Sequence, residues 1–277
     1  MTISSIQKLI DLTHYTEGPA IGADGSFYFT TLSGGKIGKL SQHGEYTEWG
    51  KGPCPNGQVI LSNGDHLFCD SATAGIVKHS SSGKLLEYIV LDRCAGEKVS
   101  TPNDLIIDSV GNIYFTDSIR SHGKVFFKGV DGSEKVVATG IDYANGLALS
   151  KDERYLFFAE SFQNRLLKLE LKVPGVAASA PEVFFDLPKN ASGNITDNLP
   201  DGLKVDRDGN IWVAHYGMGA VQVISSKGEL LASLSTSLPL TSNLCFVEDE
   251  VRLKTVLITG GFGEPGPGAV VLMTVTQ

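Results

Sequence analysis

Six positions along this chain place an oxygen-bearing side chain at the head of an apolar, strand-like run: Glu17-Gly-Pro, Asn56-Gly, Asn103-Asp, Asn145-Gly, Asp201-Gly and Asn243-Leu. Carboxylates and amides are hard oxygen donors. Gathered together they suit Ca²⁺ first, then Mg²⁺, with Mn²⁺ and Zn²⁺ also compatible. Converged away from water without a cation, they would leave charge poorly compensated. Asn, Asp and Gly also open turns for local backbone reasons in any β protein. What sets these six apart is the register they share with the segments that follow.

Each opens a copy of one repeating phrase: an apolar strand, a short polar turn, then a strongly β-forming strand. The second strands read FYFTT (27–31), LFCDS (67–71), YFTDS (114–118), FFAES (157–161), WVAHY (212–216) and LITGG (257–261). Turns such as Asp24-Gly25, Asn63-Gly64 and Asp208-Gly209 between β-branched or aromatic runs are hairpin signals. Two further strands follow in most copies, for example GIVKHS and LLEYIV in the second. Four antiparallel strands repeated about every 45 residues predict a propeller blade. The expected fold is therefore all-β, a six-bladed β-propeller with four-stranded antiparallel blades, in one domain over residues 1–277. The last copy supplies only three strands, so Ile6–Leu12 is expected to close it as the outer strand and remove an open sheet edge. In such a fold the first strand of each blade lines a central channel, which makes the six oxygen-bearing positions a ring.

Composition narrows the partners. The net charge is −8 and the 23 basic residues form no run, which disfavours nucleic acid and anionic membranes. No segment has the roughly 18–20 apolar residues of a membrane-spanning helix, and the N-terminus lacks a signal-peptide pattern. A cytoplasmic protein, monomeric or a weak homo-oligomer, acting on a small molecule is the expectation. Cys54, Cys69, Cys94 and Cys245 form no CxxC pair and are read as reduced. Trp49 and Trp212 are expected to pack between blades.

Four of the motifs, EGP (17–19), PND (102–104), ANG (144–146) and PDGL (200–203), resemble the SMP-30/gluconolactonase/luciferin-regenerating-enzyme family. The stretch PDGLKVDRDGNIWVAHYGMGAV is especially similar to its bacterial members, and the resemblance spans essentially the whole chain. It implies a six-bladed propeller with one divalent cation in its channel, held by Glu17, Asn103, Asn145 and Asp201. Asn56 and Asn243 then line the channel. The implied activity is hydrolysis of a sugar or other small lactone. The cation would polarise the carbonyl and activate water, Asp201 would accept a proton from that water, and Glu17 and Asn103 would complete the catalytic set.

Antiparallel pairing places the end of each second strand beside the start of the first. Asp70, Ser71, Asp117, Ser118, Glu160, Ser161, His215 and Tyr216 are accordingly expected near the channel mouth. Asn56, Thr101, Asp104, Ser118, Ser161, His215 and Tyr216 are the candidates for substrate contact. His14, His43, His66, His79 and His122 fall in turns or outer strands and are expected at the surface. The loops 118–123, 161–164, 217–219 and 260–268 are expected to shape the pocket.

Two positions depart from related patterns. Sugar lactonases of the family often carry Arg directly before Pro-Asn, where this chain has Thr101. Squid-type organophosphatases carry an Asp for a second calcium three residues after the last channel ligand, where this chain has Lys204. A phosphotriesterase-like hydrolase, a strictosidine-synthase-like enzyme and a binding propeller without catalysis are the rival expectations.

Overall fold

The computed structural model describes residues 1–276; Gln277, the last residue of the single domain expected over 1–277, lies outside them. The chain is all-β. Among the described residues helix is confined to two single 3₁₀ turns, Ser161–Gln163 and Ile195–Asp197. Among the described residues no helix is long and apolar enough to cross a membrane.

The strands form consecutive antiparallel meanders. The first runs through Thr16–Ile21, Phe27–Thr31, Lys36–Leu40 and Tyr46–Lys51. The second begins with Pro55–Ile60 and His66–Asp70 and carries an extra hairpin, Arg93–Cys94 with Glu97–Lys98. The third begins with Pro102–Ile107 and Ile113–Asp117, the fourth with Ala144–Leu149 and Tyr155–Glu160, and the fifth with Leu199–Val205 and Ile211–Tyr216. The sixth comprises Leu240–Asp249, Leu253–Gly261 and Gly268–Thr276, and Thr2–Leu12 pairs antiparallel with the last of these. A single pairing, Tyr216 with Leu240, joins the fifth and sixth meanders into one eight-stranded sheet.

The first strands of successive meanders lie side by side: Thr16–Ile21 against Pro55–Ile60, then onward in order to Leu240–Asp249, which again contacts Thr16–Ile21. The hydrophobic core is divided accordingly. One cluster joins Phe68 and Val77 to Ile37, with Trp49 packed against it. Another joins Leu105 and Phe115 to Leu67, and a third joins Leu147 and Phe158 to Tyr114 and Val125. Further clusters join Leu203 and Val213 to Phe157, Val256 and Met273 to Trp212, and Phe27 and Phe29 to Leu257 and Val270. Each lies between neighbouring meanders because every sheet has two apolar faces to bury. The alternation of strand side chains supplies both.

The four cysteines are free. Two histidines contradict the surface expectation. His66 stacks on Trp49 with ring centroids 3.9 Å apart, and His79 packs edge-on against Phe68; both are buried. They lie on the strands that face the aromatic interface between the first two meanders, where the flat rings pack and His66 Nδ1 meets Gln58 Oε1 at 3.0 Å.

Candidate metal centre and channel cavity

The inner strand pair of every meander changes register at its oxygen-bearing residue. The slips fall between Glu17 and Ala20, Pro55 and Gln58, Pro102 and Leu105, Ala144 and Leu147, Pro200 and Leu203, and Thr241 and Asn243. A slip of this kind releases one or two residues from the ladder and re-aims their side chains. Glycine then permits close approach of the neighbouring strand. A Cβ on Gly146 would stand 2.3 Å from the Asp201 carbonyl oxygen, and one on Gly202 2.1 Å from the Asn243 side chain.

This arrangement gathers Glu17, Asn56, Asn103, Asn145 and Asp201 around one cavity of about 230 Å³. All five are buried, as is Asn243. Glu17 Oε2 accepts from the Gly18 N–H at 2.5 Å and from Asn243 Nδ2 at 3.1 Å. Asn145 Nδ2 donates to Ser161 Oγ at 3.2 Å, and Ser161 Oγ donates to the Pro200 carbonyl at 2.7 Å. Asp104 lies next to the ring: its Oδ2 is 3.4 Å from Asn243 Nδ2 and 3.8 Å from Lys204 Nζ.

The electrostatics are those of a site short of positive charge. Burial raises the Glu17 pKa, and the charge of Asp104 raises it further; the Gly18 N–H, the Asn243 amide and Lys204 oppose the shift. Asp201 is raised by burial, then by Glu17, Glu264 and Asp104. Asn56 Oδ1 and Asn145 Oδ1 are buried without a hydrogen-bond partner. Orphaned amide oxygens beside two buried carboxylates fit a hard divalent cation. Among the described residues no three His, Cys, Asp or Glu side chains are placed to hold a metal ion by themselves, so any such site depends on the amides.

The substrate-contact candidates separate into two groups. Asn56, Ser161 and Tyr216 line the cavity. Thr101, Asp104, Ser118 and His215 lie outside its lining. The Thr101 N–H is held by Asp117 Oδ1 at 2.5 Å, and Ser118 Oγ donates to the Ala144 carbonyl at 2.5 Å. Asp104 is buried with Asn243 and Lys204. His215 is fully buried beside Gln222, and burial pulls its pKa down to about 4. Strand ends approach the mouth as expected, but alternation turns some of these side chains into the sheet packing.

Six other residues line it: Phe162 and Glu264, from the loops 161–164 and 260–268 expected to shape the pocket, and Tyr15, Leu32, Tyr143 and Leu199, which were not foreseen. Tyr15, Tyr143 and Leu199 each stand two residues before a ring residue, so the strand period of two could have found them. Tyr143 is held at φ +71°, a conformation rare for a bulky residue. Its N–H donates to the Ile141 carbonyl at 3.0 Å, and its carbonyl accepts from the Ser161 N–H at 3.2 Å. Burial pushes its phenol up to about 12. The buried Tyr15 hydroxyl has no partner.

Residues 15–260 match the model of the SMP-30/gluconolactonase/LRE-like region. The chain belongs to that family. A lactonase, drp35, from Staphylococcus epidermidis is 34% identical over 163 residues, covering 56% of this chain and 47% of that protein. This chain therefore aligns with about half the length of that relative. A gluconolactonase structure from Xanthomonas campestris superposes with a TM-score of 0.81 at 24% identity, covering 98% of this chain and 89% of that one. The calcium-binding protein regucalcin from Agrobacterium tumefaciens superposes with a TM-score of 0.78 at 19% identity, covering 99% and 95%. At these identities the two structures speak to fold.

Proposed function

We propose that this family member is a divalent-cation-dependent lactonase acting on a small lactone, within a single closed six-bladed propeller. The cyclic order of inner-strand contacts and the apolar cluster between the sixth and first meanders support closure. The observation that carries the function is the convergence of Glu17, Asn103, Asn145 and Asp201 on one cavity, with Asn145 Oδ1 left unpartnered.

These four residues would hold the cation, and Ca²⁺ is the first choice for an all-oxygen set. When bound, it supplies Lewis-acid polarisation of the lactone carbonyl and a lowered pKa for water. The protein's own share is positioning and proton transfer. Tyr15, Tyr143, Phe162 and Tyr216 wall the cavity and exclude bulk water from the ester bond. A carboxylate oxygen of Asp201 takes the proton of the attacking water, and the Asn145 amide beside it fixes its orientation. Asp104, Asn243 and Lys204 brace Glu17 rather than touch substrate.

The test is proton release from a panel of sugar and aliphatic lactones, before and after chelation and after return of Ca²⁺, Mg²⁺, Mn²⁺ or Zn²⁺. Activity lost on chelation and restored by one ion, and abolished in Asp201→Asn with the fold intact, is the expected result. Metal-loaded protein that opens no lactone but cleaves phosphoesters would replace this function with the phosphotriesterase one.

A further inference from the structure

A third carboxylate reaches the mouth of the cavity from outside the oxygen-donor ring. Glu264 sits on the turn between Leu253–Gly261 and Gly268–Thr276, exposed to solvent at the rim. The turn is tied down on both sides. The Tyr15 N–H donates to the Pro265 carbonyl at 2.9 Å, and the Phe262 N–H donates to the Pro267 carbonyl at 2.9 Å. A Cβ on Gly266 would stand 2.1 Å from the Thr13 carbonyl, so the turn lies directly on the segment that leads into Tyr15. The Glu264 carboxylate interacts with the Tyr216 hydroxyl, whose ring packs edge-on against Tyr15 at 6.2 Å, and opposes ionisation of Asp201.

The cavity lining then holds three carboxylates, Glu17, Asp201 and Glu264, and no Lys, Arg or His among the described residues. The nearest cation, Lys204, is paired with Asp104 beside the ring and does not line the cavity. A divalent cation balances two of the three negative charges. The third is left at the entrance, where it meets a substrate first. The geometry points to Glu264 as a specificity-determining residue that admits uncharged lactones and repels those bearing a carboxylate or phosphate. The lactone ring in this assignment rests on the hydrolase proposal; the charge selection rests on the cavity lining.

Binding and turnover separate the two. The probes are δ-valerolactam, an uncharged ring that is not an ester, and 6-oxopiperidine-2-carboxylate, its anionic counterpart. Affinities for both are measured by ligand-observed NMR at pH 8 in saturating Ca²⁺, for wild type, Glu264→Gln and Glu264→Lys. Wild type is expected to bind the uncharged ring at least tenfold more tightly. Glu264→Lys should move that ratio at least tenfold toward the anion, with Glu264→Gln between them. Melting temperature should stay unchanged, because the side chain is at the rim, and saturating Ca²⁺ keeps the ring occupied in all three proteins. Equal or tighter binding of the anion by wild type, an unchanged ratio in Glu264→Lys, or binding of neither ring would overturn the assignment. Lactone hydrolysis by the same proteins reports on the parent proposal independently. Selective binding without hydrolysis removes the lactonase and keeps the charge filter, and hydrolysis without selectivity does the reverse.

Discussion

Gly146 and Asp201 belong to neighbouring meanders, yet a Cβ on Gly146 would stand 2.3 Å from the Asp201 carbonyl oxygen and 2.5 Å from the Gly202 Cα. The obstacle is backbone on the adjacent strand, which cannot rotate away. Gly146→Ala should therefore push the fourth and fifth inner strands apart at the ring. The expected cost is about 1–3 kcal/mol of stability, as for other overpacked sites. Calcium affinity should also fall by at least tenfold, as measured by isothermal titration. Gly44→Ala provides the contrast, since nothing lies within 4 Å of its Cβ and its φ of +83° is the only obstacle. That variant should lose stability with no change in calcium affinity. A Gly146→Ala protein with native affinity would show that strand spacing does not set the ring.

Glu17 and Asp201 are buried carboxylates; burial raises both pKa values, the charge of Asp104 adds to the shift of Glu17, and the charge of Glu17 adds to that of Asp201. Like charges held together out of water destabilise the cation-free fold. Glu17→Gln removes one charge and keeps the shape. In chelator its melting temperature should rise above that of wild type, while the further rise that Ca²⁺ gives wild type should vanish. This exchange of intrinsic stability for ligand-linked stability is expected where a site is built at the expense of the fold. Scanning calorimetry with and without Ca²⁺ measures both quantities. A lower melting temperature in chelator would mean that the Gly18 and Asn243 contacts to Glu17 outweigh the repulsion.

The repeat was legible in the sequence because each copy restates turn, strand and ring residue in the same order, so Asn103 and Asn145 locate one another. Position along the strand was legible; side-chain direction was not. Ser118 and Ser161 occupy equivalent places at the ends of second strands, yet only Ser161 lines the cavity. Ser118 turns instead to the Ala144 carbonyl. His215 is carried into the packing by the same alternation. Glu264 was legible only as part of the loop 260–268 expected at the pocket. Its own place was not, because the contacts that seat it, Tyr15 with Pro265 and Thr13 with Gly266, join opposite ends of the chain.

The fifth and sixth meanders are also joined by a buried cation. The Lys254 side chain is fully buried, with Nζ 2.5 Å from Asp249 Oδ1, 2.9 Å from Asp208 Oδ2 and 3.9 Å from Asp206 Oδ2. Asp206 Oδ2 also accepts from Trp212 Nε1 at 3.0 Å. Lys254→Met fills the same volume but leaves Asp206 buried beside an apolar chain. Breaking one partner out of a buried ionic group typically costs about 3–5 kcal/mol. Urea unfolding should show a lowered midpoint with an unchanged slope. A loss below about 1 kcal/mol would mean that the neighbouring carboxylates reach water once the ammonium is gone.

His66 gives the fold an acid-sensitive element outside the ring, reached from Gly18 through Gln58. Burial pulls its pKa from 6.5 to about 3, with His79 and Lys39 adding to the shift and Asp65 opposing it. The folded imidazole therefore stays neutral while the unfolded one takes a proton below pH 6.5. In that window the unfolded state binds more protons, so its contribution to stability is complete above pH 6.5 and is lost as pH falls toward 3. At about 1.4 kcal/mol per pH unit, the loss between pH 7.5 and pH 5 is about 2 kcal/mol from this residue. His66→Gln removes the titration and keeps a polar neighbour for Gln58, whose Oε1 lies 3.0 Å from His66 Nδ1. The variant will be less stable at pH 7.5, since the stack on Trp49 is lost. Its decline in stability between pH 7.5 and pH 5 should nonetheless be shallower than that of wild type by about 2 kcal/mol. Parallel declines in the two proteins would place the acid sensitivity elsewhere, with His215 the next residue to test.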